Sequence, residues 1–169
     1  MTEIMLLTPA QVADASQLGQ ATFDRWQGRP GYYRNLAGSH RRGKLGEVAV
    51  EVWAQRHGIA LLDAIFRDPG REREADLQLP FTLADVKTWH GKGWAAWGRC
   101  VAVKQLPTLT QKAAVVVWCH VSERRDVEIT LAGWNTLGDV EAAPELWTGP
   151  EGKQVHNYQL AVKESAPNP

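Results

Sequence analysis

The sequence predicts an α/β fold in which helices and strands share one hydrophobic core. From Leu45 to Trp53, apolar residues recur at the spacing of a helix with one buried face. Ala113–Val121 is instead a continuous apolar run with three consecutive valines, which predicts a central strand covered on both faces. Shorter strand-like segments that carry charge lie between these two. A chain of 169 residues is long enough for one domain with a sizeable core.

The composition limits the class of protein. Nineteen Lys and Arg balance nineteen Asp and Glu, so affinity for a polyanion must come from local basic clusters. Cys100 and Cys119 lack Cys-x-x-Cys spacing and stand in apolar surroundings, so we expect buried, reduced thiols and a cytoplasmic protein. The apolar run Met1–Leu7 is too short for a signal peptide. No apolar run approaches the roughly 20 residues of a membrane helix, and we expect no membrane partner.

Two helices are expected in the first third of the chain. Thr8, Pro9 and Gln11 form a helix-start pattern of N-cap, first-turn proline and a glutamine three residues after the cap. Residues 28–31, rich in glycine, should end this helix. The second helix should run from about Lys44 to His57.

Residues 32–42, between these helices, are expected to form a loop with interleaved basic and aromatic residues. Such a loop suits phosphate contacts combined with base stacking. A solvated loop with two tyrosines packed beneath it is an equally good interpretation. The residues predicted to contact DNA lie in this loop, at the start of the second helix and among the later tryptophans: Tyr33, Arg34, Arg41, Arg42, Lys44, Trp89 and Lys92.

Two adjacent acidic strands form the centre of the sequence. Asp76 stands in Arg73–Leu79, and a turn should lead from there into the antiparallel strand Leu83–Trp89. Side chains two apart on a strand point to one face, so Asp85 and Lys87 should project together. The opposite face carries small and β-branched residues that suit burial. Two acids and one ammonium group are therefore expected to converge.

The remaining segments are assigned more simply. Further strands are expected at Ile59–Phe66, Val127–Leu131 and Gln154–Val162, with a turn or short helix within Trp134–Pro144. Trp89–Trp97 contains two glycines and three tryptophans, and we expect a mobile segment. Pro107 should limit any helix in its neighbourhood.

Together, Glu47, Asp76 and Asp85-Val86-Lys87 resemble the PD-(D/E)xK nuclease superfamily, whose restriction-endonuclease-like fold is shared by archaeal Holliday-junction resolvases. In that family a central mixed β-sheet is flanked by helices, the first helix supplies a glutamate, and two adjacent strands supply the other motif residues. The resemblance covers about residues 43–135 and departs from the family at Ala75, where proline is usual. It implies a nuclease-like domain at 43–163, after a helical and basic extension at 1–42 and before a disordered tail at 164–169.

The resemblance also implies roles for the motif residues. Glu47, Asp76 and Asp85 would hold Mg²⁺, with Mn²⁺ as a substitute, and the backbone carbonyl of Val86 would be a further ligand. Lys87 would be the catalytic lysine that positions the attacking water.

Two further polar residues are weaker candidates. Gln105 falls where some members of the family place a residue that supports the site. Helical periodicity leaves Glu47 and Glu51 undecided as the helical acid, because both fall away from the centre of the apolar stripe. The resemblance favours Glu47.

These residue types suit phosphodiester hydrolysis independently of the family name. Three carboxylates offer the hard oxygen ligands that Mg²⁺ and Mn²⁺ prefer, and a nearby ammonium group orients water or neutralises a phosphate oxygen. In the alternative structural interpretation, Asp76 and Lys87 form an ordinary cross-strand ion pair while Asp85 faces water.

The expected function is hydrolysis of DNA phosphodiester bonds by a structure- or end-directed nuclease, monomeric or homodimeric. A junction resolvase or a phage- or defence-associated nuclease fits this description. One alternative is a catalytically silent or partner-dependent DNA-binding protein on the same fold. Another is an interaction module whose acids are surface charge. The sequence does not separate DNA from RNA, or endonuclease from exonuclease.

Overall fold

A mixed five-stranded sheet lies at the centre of the protein, flanked by helices, which confirms the predicted α/β class. The computed structural model describes residues 2–27, 37–71, 73–125, 127–148, 151–152 and 154–160, without the side chains of Lys92 and Ala96. The strands are β1 (Glu3–Leu6), β2 (Leu77–Leu79), β3 (Thr82–His90), β4 (Cys100–Ala102), β5 (Val115–Val121), β6 (Glu128–Thr136), β7 (Glu145–Thr148) and β8 (Val155–Gln159). The helices are α1 (Pro9–Trp26), α2 (Ala37–Arg56), α3 (Gly91–Trp97), α4 (Leu106–Lys112) and α5 (Leu137–Glu141), with 3₁₀ turns at Ile65–Arg67 and Val103–Gln105.

The main sheet has the strand order β1-β6-β5-β3-β2, and β4-β8-β7 forms a second, smaller sheet. β3 and β5 run parallel, whereas the other pairs in both sheets are antiparallel. The predicted central strand is confirmed, because β5 lies third among the five strands. Its side chains alternate between two cores: Val116 and Trp118 pack with α4 and α5, and Cys119 and Val121 pack with α2. Both cysteines are buried and unpaired, as predicted.

The N-terminal segment belongs to the same core. Met5 and Leu7 at β1 and Ala15 of α1 are buried with the apolar face of α2. β1, which was not predicted from the sequence, is a four-residue strand at the edge of the main sheet. The predicted start of α1 is confirmed, since the Thr8 hydroxyl accepts from the Gln11 amide and the Gln11 side chain accepts from the Thr8 amide.

The predicted basic loop is partly wrong, because α2 begins at Ala37 and includes His40, Arg41 and Arg42. This segment contains no proline, and arginine is a good helix former. Arg41 also donates from Nε to the Ser16 hydroxyl of α1 at 2.9 Å, which fixes this turn of α2 against α1. Tyr33 and Arg34 lie outside the described residues, as do the expected end of α1 at 28–31 and the tail at 164–169.

Two other segments differ from expectation. Ile59–Phe66 is not a strand: only Asp63 bridges to Gln78, and a 3₁₀ turn then buries Ile65 and Phe66. Its partner β2 is only three residues long, so no longer ladder forms there. In Trp89–Trp97, the segment expected to be mobile, the structure contains the end of β3 followed by α3.

Tertiary packing outweighs the glycines in α3, because the Trp94 ring stacks on His120 with 5.0 Å between centroids. Pro107 does not limit the neighbouring helix but stands in the first turn of α4, where a missing N–H costs nothing. The short helix within Trp134–Pro144 and the last strand are confirmed as α5 and β8, although residues 161–162 of that expected strand lie outside the described residues. β6 extends beyond the expected Val127–Leu131 to Thr136.

Two close approaches hold α2 in place. A Cβ atom at Gly46 would come within 2.0 Å of the Thr88 hydroxyl oxygen, so the bare backbone of α2 lies directly against β3. On its other side, a Cβ atom at Gly19 would come within 2.7 Å of the Arg41 Cα, which marks the crossing of α1 and α2. Within the described residues, no helix combines the length and apolar character needed to cross a membrane.

We predict that Gly46→Ala destabilises the protein by about 1–3 kcal/mol, because the added methyl group overpacks the contact between α2 and β3. Rotation of the Thr88 hydroxyl does not relieve the clash, since Thr88 Cβ and Cγ2 would also lie 3.1 and 3.2 Å from the new atom. Urea unfolding followed by circular dichroism measures the change.

Gly38→Ala is the matched control in the same helix. The atom nearest to a Cβ at Gly38 is a terminal nitrogen of Arg42 at 3.6 Å, an ordinary contact. Because alanine is the better helix former, Gly38→Ala should be neutral or stabilising by up to about 1 kcal/mol. Equal effects of the two substitutions would contradict the proposed close packing at Gly46.

Candidate active site

A pocket of about 190 Å³ opens where α2, β3, the segment before β2 and the end of α4 meet. It contains all four residues predicted to be catalytic, together with Val86 and Lys44. The side chains and backbone that line it belong to Thr22, Ser39, His40, Gly43, Lys44, Glu47, Phe66, Arg71, Ala75, Asp76, Asp85, Val86, Lys87 and Lys112.

The two acidic segments are joined directly to each other. Asp76 immediately precedes β2, and its Oδ2 accepts a hydrogen bond from the Val86 amide of β3 at 2.6 Å. The Asp76 amide in turn donates to the Ala84 carbonyl at 3.0 Å. These two bonds continue the β2–β3 pairing by one residue and hold the Asp76 carboxylate beside β3.

Asp85 is the most buried of the acids, with only 1% of its surface exposed. Its Oδ2 lies 2.6 Å from the Lys87 ammonium and its Oδ1 lies 2.5 Å from the Lys112 ammonium. The structure therefore differs from the interpretation in which Asp85 faces water and Lys87 pairs with Asp76. Both oxygens of a buried carboxylate instead face ammonium groups from two different elements.

Glu47 reaches the pocket from α2 and is buried beside another lysine. Its Oε2 lies 2.7 Å from the ammonium of Lys44, one turn earlier on the same helix. Lys44 is itself buried, donates to the Phe66 carbonyl at 3.1 Å, and lies 5.5 Å from the centre of the Phe66 ring. Lys44 thus belongs to the wall of the pocket.

The choice between the two helical acids follows from this geometry. Glu51 pairs with Arg67, whose Nε donates to Oε1 at 3.0 Å and whose other nitrogen contacts Oε2. Glu51 does not line the pocket, whereas Glu47 does. Periodicity left the two acids equivalent because it records only the main apolar stripe, and α2 is covered on more than one side.

The pKa values of the three carboxyl groups in the pocket shift in opposite directions. Burial, reinforced by the negative charge of Asp76, raises the pKa of Glu47 from 4.5 to about 8 despite the neighbouring Lys44. Burial and the negative charge of Asp85 also raise the pKa of Asp76. Burial alone would raise the pKa of Asp85 too, but Lys87 and Lys112 together outweigh it and lower that pKa. Asp85 is thus the carboxylate that stays ionised most readily.

The fit of a divalent cation depends on the oxygen donors. Among the described residues, no three Asp, Glu, His or Cys side chains are already arranged around one point as metal ligands. Glu47 Oε2 and Asp85 Oδ2 are nevertheless buried oxygens without a hydrogen bond, although an ammonium lies within ion-pair distance of each. Two such oxygens beside a third carboxylate fit a hard cation chemically. Lysines supply the positive charge in the described arrangement.

Other predicted residues lie away from the pocket. Gln105 ends a 3₁₀ turn and does not line it. Arg41 and Arg42 point to Ser16 and Ser39, and Trp89 continues the Asp85 face of β3. Lys92 lies in α3, with its side chain outside the described set.

Three titratable residues of the pocket were not among the predicted site residues: His40, Arg71 and Lys112. The pKa of His40 is lowered, chiefly by burial and then by Lys44, which favours the neutral ring. Arg71 pairs with Asp63 at 2.7 Å and Glu74 at 2.6 Å, both outside the pocket. Lys112 shares no spacing with the motif, because only the packing of α4 brings it to Asp85.

Comparison of the chain with protein-family models, curated proteins and solved structures found no match. The function must therefore be argued from the pocket itself.

The raised pKa of Glu47 predicts a specific pH dependence of stability in EDTA. Between pH 5.5 and 8 the folded protein holds a proton on Glu47 that the unfolded chain has released, so the free energy of unfolding falls as pH rises. Glu47→Gln cannot titrate and lacks this contribution. The stability of Glu47→Gln relative to wild type should therefore rise by about 1–3 kcal/mol from pH 5.5 to 8.5, because one pKa unit corresponds to about 1.4 kcal/mol.

Urea unfolding at several pH values measures this difference. Taking the difference between the two proteins cancels the histidines, which titrate in both. A constant difference across the pH range would contradict the assignment of a protonated, buried Glu47.

Proposed function

We propose that the chain is a metal-dependent nuclease of the PD-(D/E)xK type with a restriction-endonuclease-like core. One observation supports this most strongly: Glu47, Asp76, Asp85 and Lys87 come from three separate segments and line the same pocket. Three carboxylates with no common role would not need to be gathered in one pocket, since burying several carboxylates together raises at least one pKa.

The arrangement of elements agrees with this proposal. The acids stand on a β2–β3 hairpin, β3 is parallel to the central β5, and α2 lies across β3 to bring its glutamate to the same end. The family pattern has a helical glutamate followed by two adjacent acidic strands in a mixed sheet.

In the proposed reaction, the carboxylates and Lys87 have different roles. Glu47, Asp76, Asp85 and the Val86 carbonyl would hold Mg²⁺, which when bound lowers the pKa of a water and offsets charge on the phosphate. Lys87 is 30% exposed at its side chain, so it reaches the open part of the pocket while remaining beside Asp85. In the proposed reaction, Lys87 orients the attacking water or neutralises a phosphate oxygen.

The proposed substrate is DNA, with RNA as the alternative. The chain has no net charge, so a polyanion must be attracted locally, and the pocket lysines whose side chains reach solvent are Lys87 and Lys112, at 30% and 18% exposure. We propose that the enzyme acts on DNA ends, branches or junctions. It would do so as a monomer or a homodimer.

Cleavage assays with matched variants test the proposal. Wild type should cleave at least one of linear, nicked, branched and single-stranded DNA in Mg²⁺ or Mn²⁺, and EDTA should abolish cleavage. Asp85→Asn and Glu47→Gln should each reduce kcat by at least about 100-fold, since each removes a charged group from the reacting centre. Glu51→Gln, one turn along the same helix but outside the pocket, should stay within several-fold of wild type.

Two results would count against the enzyme. Wild type that cleaves none of the four DNA forms but shifts one in a gel would indicate a DNA-binding protein on this fold. A loss in Glu51→Gln equal to that in Glu47→Gln would show that the helical acid acts through stability alone.

A further inference from the structure

Lys112 is the pocket residue that the motif does not account for. It ends α4, on the sheet face opposite the one that α2 covers, and its side chain is 18% exposed. Its ammonium lies 2.5 Å from Asp85 Oδ1, while Lys87 lies 2.6 Å from Oδ2. Asp85 therefore forms ion pairs with two ammonium groups, whereas the motif supplies only one.

The second ammonium group conflicts with a metal at the same carboxylate. Asp85 is 1% exposed, so a cation that binds it must share a small, poorly solvated space with whichever lysines remain. Like charges within a few ångströms repel strongly in such surroundings. A divalent cation bound to Asp85 would lie within a few ångströms of Lys112, so it would repel that ammonium group from the carboxylate.

The charges in the pocket indicate which negative group Lys112 would balance after leaving Asp85. Once Glu47 is ionised, as metal binding requires, the three carboxylates are balanced by the three pocket lysines, and Arg71 is paired outside with Asp63 and Glu74. A dication raises the local charge by two. A phosphodiester and a deprotonated attacking water would carry two negative charges between them. With three lysines, the pocket would therefore have no net charge when both the metal and the substrate are bound.

Resting on the proposed function, we propose that Lys112 is a further substrate-contacting residue that exchanges partners. In the metal-free protein its ammonium neutralises Asp85. With a divalent cation held by Asp85, the Lys112 ammonium would instead contact a non-bridging oxygen of the scissile phosphate. Lys112 suits this exchange because its side chain, at the end of α4, is 18% exposed and so borders the open part of the pocket. Lys87 would keep its proposed role of orienting the attacking water.

This exchange predicts opposite effects of one substitution on metal and on substrate. Lys112→Met removes the competing ammonium, so calorimetry with Mn²⁺ alone should show roughly tenfold tighter binding. At saturating Mn²⁺, kcat/KM on the DNA that wild type cleaves should fall at least about 30-fold, because the phosphate loses its contact. A fold defect would weaken both, so the opposite signs identify the exchange.

Two controls complete the design. Lys112→Arg keeps the charge and should stay within about threefold of wild type for Mn²⁺ binding. Lys104→Met removes an exposed lysine outside the pocket and should change neither quantity.

The inference is overturned if Lys112→Met leaves the Mn²⁺ affinity unchanged or weaker, or if its kcat/KM stays within threefold of wild type. In either case wild-type cleavage would leave the nuclease proposal standing. Wild type that binds Mn²⁺ but cleaves no nucleic acid would instead remove the proposed function, and the substrate role of Lys112 with it.

Discussion

A buried carboxylate needs a positive partner, and Asp85 is the most buried carboxylate of the pocket. Almost no part of Asp85 reaches solvent, so leaving its charge unpaired would cost several kcal/mol. Two lysines from different elements satisfy it, Lys87 from β3 itself and Lys112 from the end of α4. The pairing ties α4 to β3, the strand beside the central β5. It also keeps Asp85 ionised while its neighbours Glu47 and Asp76 are pushed towards protonation.

The second constraint is the close contact of α2 with β3. Gly46 lets the helix backbone approach Thr88, and Glu47 is the next residue, so its depth in the pocket follows from that approach. The Lys44–Glu47 pair then lies under Phe66, and the Arg67–Glu51 pair fixes the same helix one turn further along. Packing and electrostatics thus agree on the position of the helical acid.

The sequence predicted those parts of the site that depend on local geometry. A period of two placed Asp85 and Lys87 on one face of a strand, and a short turn placed Asp76 beside it. Ala113–Val121 was recognisable as the central strand because both its faces are apolar. Periodicity could not choose between Glu47 and Glu51, because the difference lies in what packs on the second side of α2.

Other features depend on contacts distant in sequence, which no local pattern records. Lys112 becomes part of the site only through the packing of α4 on the sheet. The Arg41–Ser16 bond helps to hold in a helix residues that looked like a basic loop. Ile59–Phe66 looked like a strand because it is apolar, but it lacks a partner long enough to form a ladder. The apolar composition of such a segment predicts that it is buried, but it does not predict its secondary structure.

The central claim is that Glu47, Asp76 and Asp85 can bind one divalent cation. A crystal structure of the protein soaked in Mn²⁺, with data collected at the manganese edge, tests it most directly. We predict a single anomalous peak within ligand distance of those three carboxylates, with Lys112 turned away from Asp85. An Asp85 that keeps both lysines, with no manganese peak in the pocket, would contradict it.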